Sequence, residues 1–186
     1  MADLQENTNE KVTKTKSIVK NIIFDWVIPI AAALVIAMLI QRYWIFKVKV
    51  PTGSMIPTIQ EEDRLYATRI YNLENIERGD IIIFESKELD DTLIKRLIGL
   101  PGDKIEMKDG VVTVNGEVLA DEYVKNKDYK ENETFEVPEG KYFFLGDNRS
   151  SSFDSSKWKN PYIDGSDIKG KAQIRVFPFS RFGRLK

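Results

Sequence analysis

The strongest pattern along the chain is one apolar run followed by a change of period. Trp26 to Ile40 is fifteen residues without a formal charge, and the wider stretch Ile22–Ile45 is broken only by Asp25, Pro29, Gln41 and Arg42. A helix that crosses a bilayer needs about 20 mostly apolar residues, so this stretch suffices if its polar ends sit at the interfaces. Phe24 and Trp26 precede the run, and Tyr43, Trp44 and Phe46 follow it, as two aromatic belts would. Ala31-Ala32-Ala33 lies inside the run, where a signal-peptide cleavage site would not. The pattern therefore predicts a retained anchor over residues 21–45, in preference to a cleaved leader or a buried core helix. Residues 1–20 are polar and read as a flexible tail. Lys11, Lys14, Lys16 and Lys20 before the span outnumber Arg42, Lys47 and Lys49 after it by one, which leans toward an N-terminus inside.

After Trp44 the period shortens to that of strands. Ile45, Phe46, Val48 and Val50 are strand formers, alternating in part with Lys47 and Lys49. Ile81-Ile82-Ile83-Phe84 reads as a buried strand, and Leu93–Gly99 as another, closed by Pro101-Gly102-Asp103. Asp109-Gly110 and Asn115-Gly116 supply two tight hairpin turns between short strands at 105–107, 111–114 and 117–119. Residues 121–134 are dense in charge and predict a solvated loop. Lys141–Leu145 and Ala172–Phe177 complete the set. The expected architecture is one N-terminal helix and a mainly β domain over 46–186, with a hairpin and loop subregion near 104–140.

Composition then narrows the chemistry. The 186 residues carry a net charge of −1, no Cys and no His. Nothing predicts a nucleic-acid partner, and no disulfide, thiolate nucleophile or Cys-ligated metal is available. Without His, the commonest general base and metal ligand, a hydrolase here must use another base. A metal hydrolase is disfavoured, and Glu61-Glu62-Asp63 reads as a solvated turn. No cofactor is expected.

Three segments could carry that chemistry. Pro51-Thr52-Gly53-Ser54-Met55-Ile56-Pro57-Thr58 sets a serine in a rigid turn, where glycine permits close backbone approach. Such a turn can aim backbone N–H groups at one point, but the same residues also build ordinary turns. Lys95 shares a strand face with Leu93 and Leu97, and desolvation there would lower its pKa toward a usable base. A lysine whose stem merely lies along apolar surface fits the same pattern. Gly146-Asp147-Asn148-Arg149-Ser150-Ser151-Ser152-Phe153-Asp154-Ser155 follows an apolar strand and could order charges around a site, or be a polar loop.

Taken together, in this order and behind one anchor, these segments resemble type I signal peptidase, a Ser/Lys serine protease family, in its small single-anchor form. The resemblance spans about residues 22–180. It rests on the 51–58 box, Gly79–Phe84, Ile94–Asp103, and Gly146–Arg149 with Ser152, Asp154 and Ser155. It implies an endopeptidase that removes signal peptides from secretory preproteins, with Ser54 as nucleophile and Lys95 as neutral base. The Ser54 N–H and the Thr52 hydroxyl would form the oxyanion hole. Ser152 would hydrogen-bond and orient Lys95, Asp147 would pair with Arg96, and Asp154 would be a second structural carboxylate. Val50, Pro51, Met55 and Ile94 would line the pockets for small side chains before the cut. The implied location is the plasma membrane, single-pass, with a cytoplasmic N-terminus and an extracytoplasmic catalytic domain. Ser156 stands where the family often has an arginine beside Asp154, leaving Lys157 as a substitute partner, and Asn160-Pro161-Tyr162 departs from the family's usual sequence.

Eight residues separate Phe46 from Ser54, so at ~3.3–3.6 Å per residue Ser54 lies within about 30 Å of the anchor's end. A nucleophile so tethered suits a substrate held in the same bilayer, and exposed apolar side chains are expected over Trp44–Val50. A catalytically silent homologue is disfavoured by the intact Ser54, Lys95 and Ser152. A self-cleaving repressor would need a DNA-binding domain where this chain has a tail and an anchor.

Overall fold

A computed structural model describes residues 23–124 and 132–185. The expected tail at 1–20, with the lysines used to orient the span, lies outside the described residues, as does the middle of the 121–134 loop. The chain divides into two units, Met1–Trp44 and Ile45–Lys186.

In the first unit a π-helical turn, Ile23–Val27, leads into helix α1, Ile28–Tyr43. Pro29 sits in the first turn, where its missing N–H would have had no intrahelical acceptor. The Trp44 N–H closes the last turn on the Ile40 carbonyl at 2.9 Å. Phe24–Tyr43 is 20 residues, apolar enough by length and composition to cross a membrane, and none of α1 is buried by protein. A helix apolar on all sides needs an apolar environment.

The second unit contains twelve strands among the described residues, every pairing antiparallel. The strands of the larger sheet are β1 (Ile45–Lys49), β2 (Arg64–Arg69), β3 (Ile81–Ser86), β4 (Asp91–Gly99), β9 (Lys141–Leu145), β10 (Ile163–Asp164) and β11 (Ile168–Phe177), with β12 (Gly183–Arg184) beside β11. Their order is β1-β2-β11-β3-β4-β9-β10. The smaller sheet holds β5 (Lys104–Lys108), β6 (Val111–Val114), β7 (Glu117–Val118) and β8 (Glu133–Glu136), in the order β7-β6-β5-β8. Its two tight turns follow from residues that accept positive φ: Asp109 and Gly110 at 48° and 79°, Asn115 and Gly116 at 55° and 85°.

Strand β4 contributes to three hydrophobic cores. Leu97 packs with Ile82, Phe84 and Phe144; Ile98 with Ile105, Leu145 and Phe143; Ile94 borders Val50, Met55 and Ile81. That triple packing is why a lysine in the middle of β4 is buried.

Several expectations change. Strand β2 has no counterpart in the sequence pattern, β8 begins inside the stretch expected to be a loop, and the last long strand starts at Ile168 rather than Ala172. Of the apolar residues expected at a lipid interface, Trp44 is 62% exposed, but Val50 is buried and Phe46 and Val48 pack against the third core. Pairing of β1 with β2 accounts for this, since it brings that face onto Leu65 and Ala67. Asp63 is fully buried rather than solvated: its carboxylate pairs with Arg181 and with Arg175 at 3.6 Å, and accepts the Gln60 N–H at 2.9 Å.

Candidate active site

The connection between β1 and β2 carries Ser54, and its own backbone bonds close it. Val50 N–H donates to the Asp63 carbonyl at 3.0 Å, Glu62 N–H to Val50 at 2.9 Å, and Ile59 N–H to Met55 at 2.9 Å. Met55 and Ile59 sink into the core and pin the loop from below. The loop is also held from across the sheet. Asn148, just after β9, donates its N–H to the Ser54 carbonyl at 3.0 Å and its side-chain amide to the Gly53 carbonyl at 3.1 Å. Among the described residues, neither the Ser54 N–H nor the Thr52 hydroxyl is committed to a hydrogen bond, so both could serve an oxyanion.

Lys95 is 4% exposed. Burial drives its amine down from 10.5 to about 8, against the nearby charges of Asp154 and Asp147, which pull it up; Lys157 adds a smaller push downward. Ser54 and Lys95 line the same two cavities, together with Thr52 and Leu93. One, of about 240 Å³, is otherwise walled chiefly by Val48, Val50, Pro51, Met55 and Ile94. The other, of about 460 Å³, runs past Ile56, Glu61, Leu89, Asn148, Ser151 and Phe153. Among the described residues no hydrogen bond joins Ser54 Oγ to Lys95 Nζ; catalytic hydrogen bonds of this kind often tighten only once substrate is bound.

The residue beside the lysine is held rigidly. Arg96 donates to both carboxylate oxygens of Asp147, from Nε at 2.8 Å and Nη2 at 2.7 Å, and to the Gly79 carbonyl at 2.6 Å. Both side chains are buried, and the Tyr123 ring covers the guanidinium at 3.8 Å. Thr58, on the Ser54 loop, donates to Asp147 at 2.5 Å, so one carboxylate joins the loop to β4.

Two expected contacts are absent among the described residues. The Ser152 hydroxyl is buried with no hydrogen-bond partner, so it does not bond Lys95 in this structure. Gly146 explains its position: a β-carbon there would overlap Ser152 Oγ and lie 2.5 Å from the Ser54 carbonyl oxygen. Lys157 does not replace the missing arginine beside Asp154. It donates to the Ser152 carbonyl at 2.7 Å, whereas Asp154 accepts the Gly146 N–H and the Ser156 hydroxyl, each at 2.8 Å. Asp154 thus shapes the turn that brackets Ser54. Among the described residues no group of three or more acidic side chains could hold a metal ion.

The sequence alone assigns no role to Asn148, Thr58 or Tyr123. The first two stand inside the segments it singles out, but their partners are 95 and 89 residues away.

A family model described as signal peptidase, peptidase S26, matches residues 23–177. A signal peptidase I of Bacillus licheniformis is 36% identical over 185 residues, covering 93% of this chain and 96% of that protein. Signal peptidase I P of Bacillus subtilis subsp. natto is 36% identical over 192 residues, covering 96% and 100%. A crystal structure of a signal peptidase I from Enterococcus faecalis V583 is 33% identical, covers 54% of this chain and 98% of that chain, and aligns with a TM-score of 0.47. A family match that runs from the apolar helix to the end of β11, with relatives 36% identical over nearly the whole chain, places this chain in the signal peptidase (peptidase S26) family of serine-type endopeptidases.

Proposed function

We propose that the protein removes N-terminal signal peptides from exported preproteins, with Ser54 as nucleophile and Lys95 as general base. The observation that carries this reading is the state of Lys95. An amine that is 4% exposed, brought to about 8 and facing the same cavities as Ser54, can take the serine proton at neutral pH. Ser54 Oγ attacks the scissile carbonyl and Lys95 Nζ accepts its proton. The oxyanion lies against the Ser54 N–H and the Thr52 hydroxyl. Lys95 then protonates the departing amine, and the acyl-enzyme is opened by a water that gives its proton to the same nitrogen. Val50, Pro51, Met55 and Ile94 line the smaller cavity, whose volume suits small side chains on the acyl side. Ser152, whose buried hydroxyl has no other hydrogen-bond partner, orients Lys95 once substrate is bound. Arg96, Asp147 and Asp154 hold the surrounding backbone.

In the same reading residues 1–20 are a cytoplasmic tail, 21–45 a single-pass anchor in the plasma membrane, and 46–186 the extracytoplasmic catalytic domain. An anchored enzyme meets a membrane-held substrate at raised effective concentration.

The test is cleavage of a preprotein by the detergent-purified full chain, compared with Ser54→Ala and Lys95→Ala. Cleavage by wild type alone is expected. Cleavage that persists in either variant eliminates the Ser54/Lys95 mechanism, and none by wild type favours a silent binding protein.

A further inference from the structure

The functional reading leaves the larger cavity unassigned. If side chains before the cut occupy the cavity of Val50, Pro51, Met55 and Ile94, a polypeptide passing Ser54 must continue along the other one. That cavity offers apolar surface on Ile56, Leu89 and Phe153, which are 37%, 37% and 51% exposed. Its distinguishing group is Glu61. One carboxylate oxygen lies 3.2 Å from where a β-carbon on Gly53 would be, beside the backbone of the nucleophile turn. Its neighbours are engaged: Glu62 pairs with Lys49 at 2.8 Å, and Asp63 with Arg181. Glu61, among the described residues, has no ion-pair partner.

The charge balance of the cavity points the same way. Glu61 and Lys95 are the charged side chains that line it. Lys95 must be neutral to act as base, which leaves the working cavity with a net negative charge. A long cationic side chain could lay its stem on Ile56 and Leu89 while its head reaches Glu61.

We propose that the larger cavity receives the residues that follow the scissile bond, and that Glu61 makes it selective for a cationic side chain there. This rests on the function proposed above. An exposed ion pair of this kind corresponds to about a two- to five-fold preference.

The experiment uses the full chain in detergent and a set of preproteins differing at one residue, with lysine or serine placed in turn at each of the first three positions after the cut. The readout is the ratio of kcat/KM for lysine over serine, which is internal to each enzyme, so any general loss of activity cancels. Wild type should favour lysine about two- to five-fold at one or more positions at low salt. The ratio should fall toward one in Glu61→Gln and at high salt, and below one in Glu61→Lys. The same ratio in wild type and Glu61→Gln, or a wild-type preference for serine, overturns the inference and leaves the functional reading standing. Failure to cut any of the substrates overturns both.

Discussion

The burial of Lys95 makes a quantitative prediction about pH. In the proposed mechanism the working form of the amine is neutral, so kcat/KM should follow its deprotonated fraction. With the amine at about 8, about a tenth of the enzyme is in that form at pH 7, whereas an unperturbed lysine would give about three molecules in ten thousand. The net shift, dominated by burial, corresponds to about a 300-fold larger neutral fraction at pH 7. The expected profile has one acid limb with its midpoint near 8, falling tenfold per pH unit below it. Lys157 pushes the Lys95 amine down, so Lys157→Gln should move the limb upward and lower activity at pH 7; Asp154 acts in the opposite sense. The assay is kcat/KM on a preprotein substrate between pH 6 and 10, in detergent at constant ionic strength. An acid-optimal profile would refute the neutral-lysine base. A limb that stays put in Lys157→Gln would refute this account of the local charges.

Three further outcomes follow from the same geometry. Lys95→Met should abolish cleavage yet stabilise the β unit by up to about 3 kcal/mol, the equivalent of moving an amine from 10.5 to about 8. Because the folded-state amine is depressed, that gain is full below pH 8 and vanishes as pH rises through 10.5, which thermal unfolding at several pH values will read. Asp147→Asn breaks a buried bidentate pair and should cost about 3 kcal/mol or more, measured as the urea midpoint of Trp158 fluorescence; a loss under about 1 kcal/mol would contradict the buried pair. Gly146→Ala forces the Ser54 carbonyl and Ser152 apart and should lower kcat about 100-fold with a smaller change in KM, since misplacing a reacting group by about an ångström has that effect.

Some features are legible in the amino-acid pattern. The run Leu93–Gly99 is mostly apolar around Lys95 and Arg96, so β4 emerges from the pattern, whereas the burial of Lys95, which the pattern leaves open, follows from three cores packing around the strand. The Asp-Gly and Asn-Gly turns likewise define the small sheet. Strand β2 is hidden because its buried positions are Leu65 and Ala67, one of them a small residue, between arginines that suggest solvent. The burial of Asp63 is hidden because its arginines are more than a hundred residues away. The larger cavity draws its wall from residues near 56, 89 and 150, and no local period connects those segments. The Ser152 contact is an expectation of resemblance; packing against Gly146, which depends on the turn at Asp154, determines where that hydroxyl sits.

The clasp of Asn148 on Gly53 and Ser54 also bears on when the site is assembled. Its partners are 95 residues apart, and the Thr58–Asp147 bond spans 89. Hairpins such as β3–β4 can form early from neighbouring residues, but contacts of that separation form late, after the central strands have assembled. The Ser54 turn can therefore close early on its own local backbone bonds, but its hold from across the sheet comes late. Docking of the Ser54 turn on Asn148 and Asp147 thus marks completion of the sheet, and any change that delays the central strands delays assembly of the site with them.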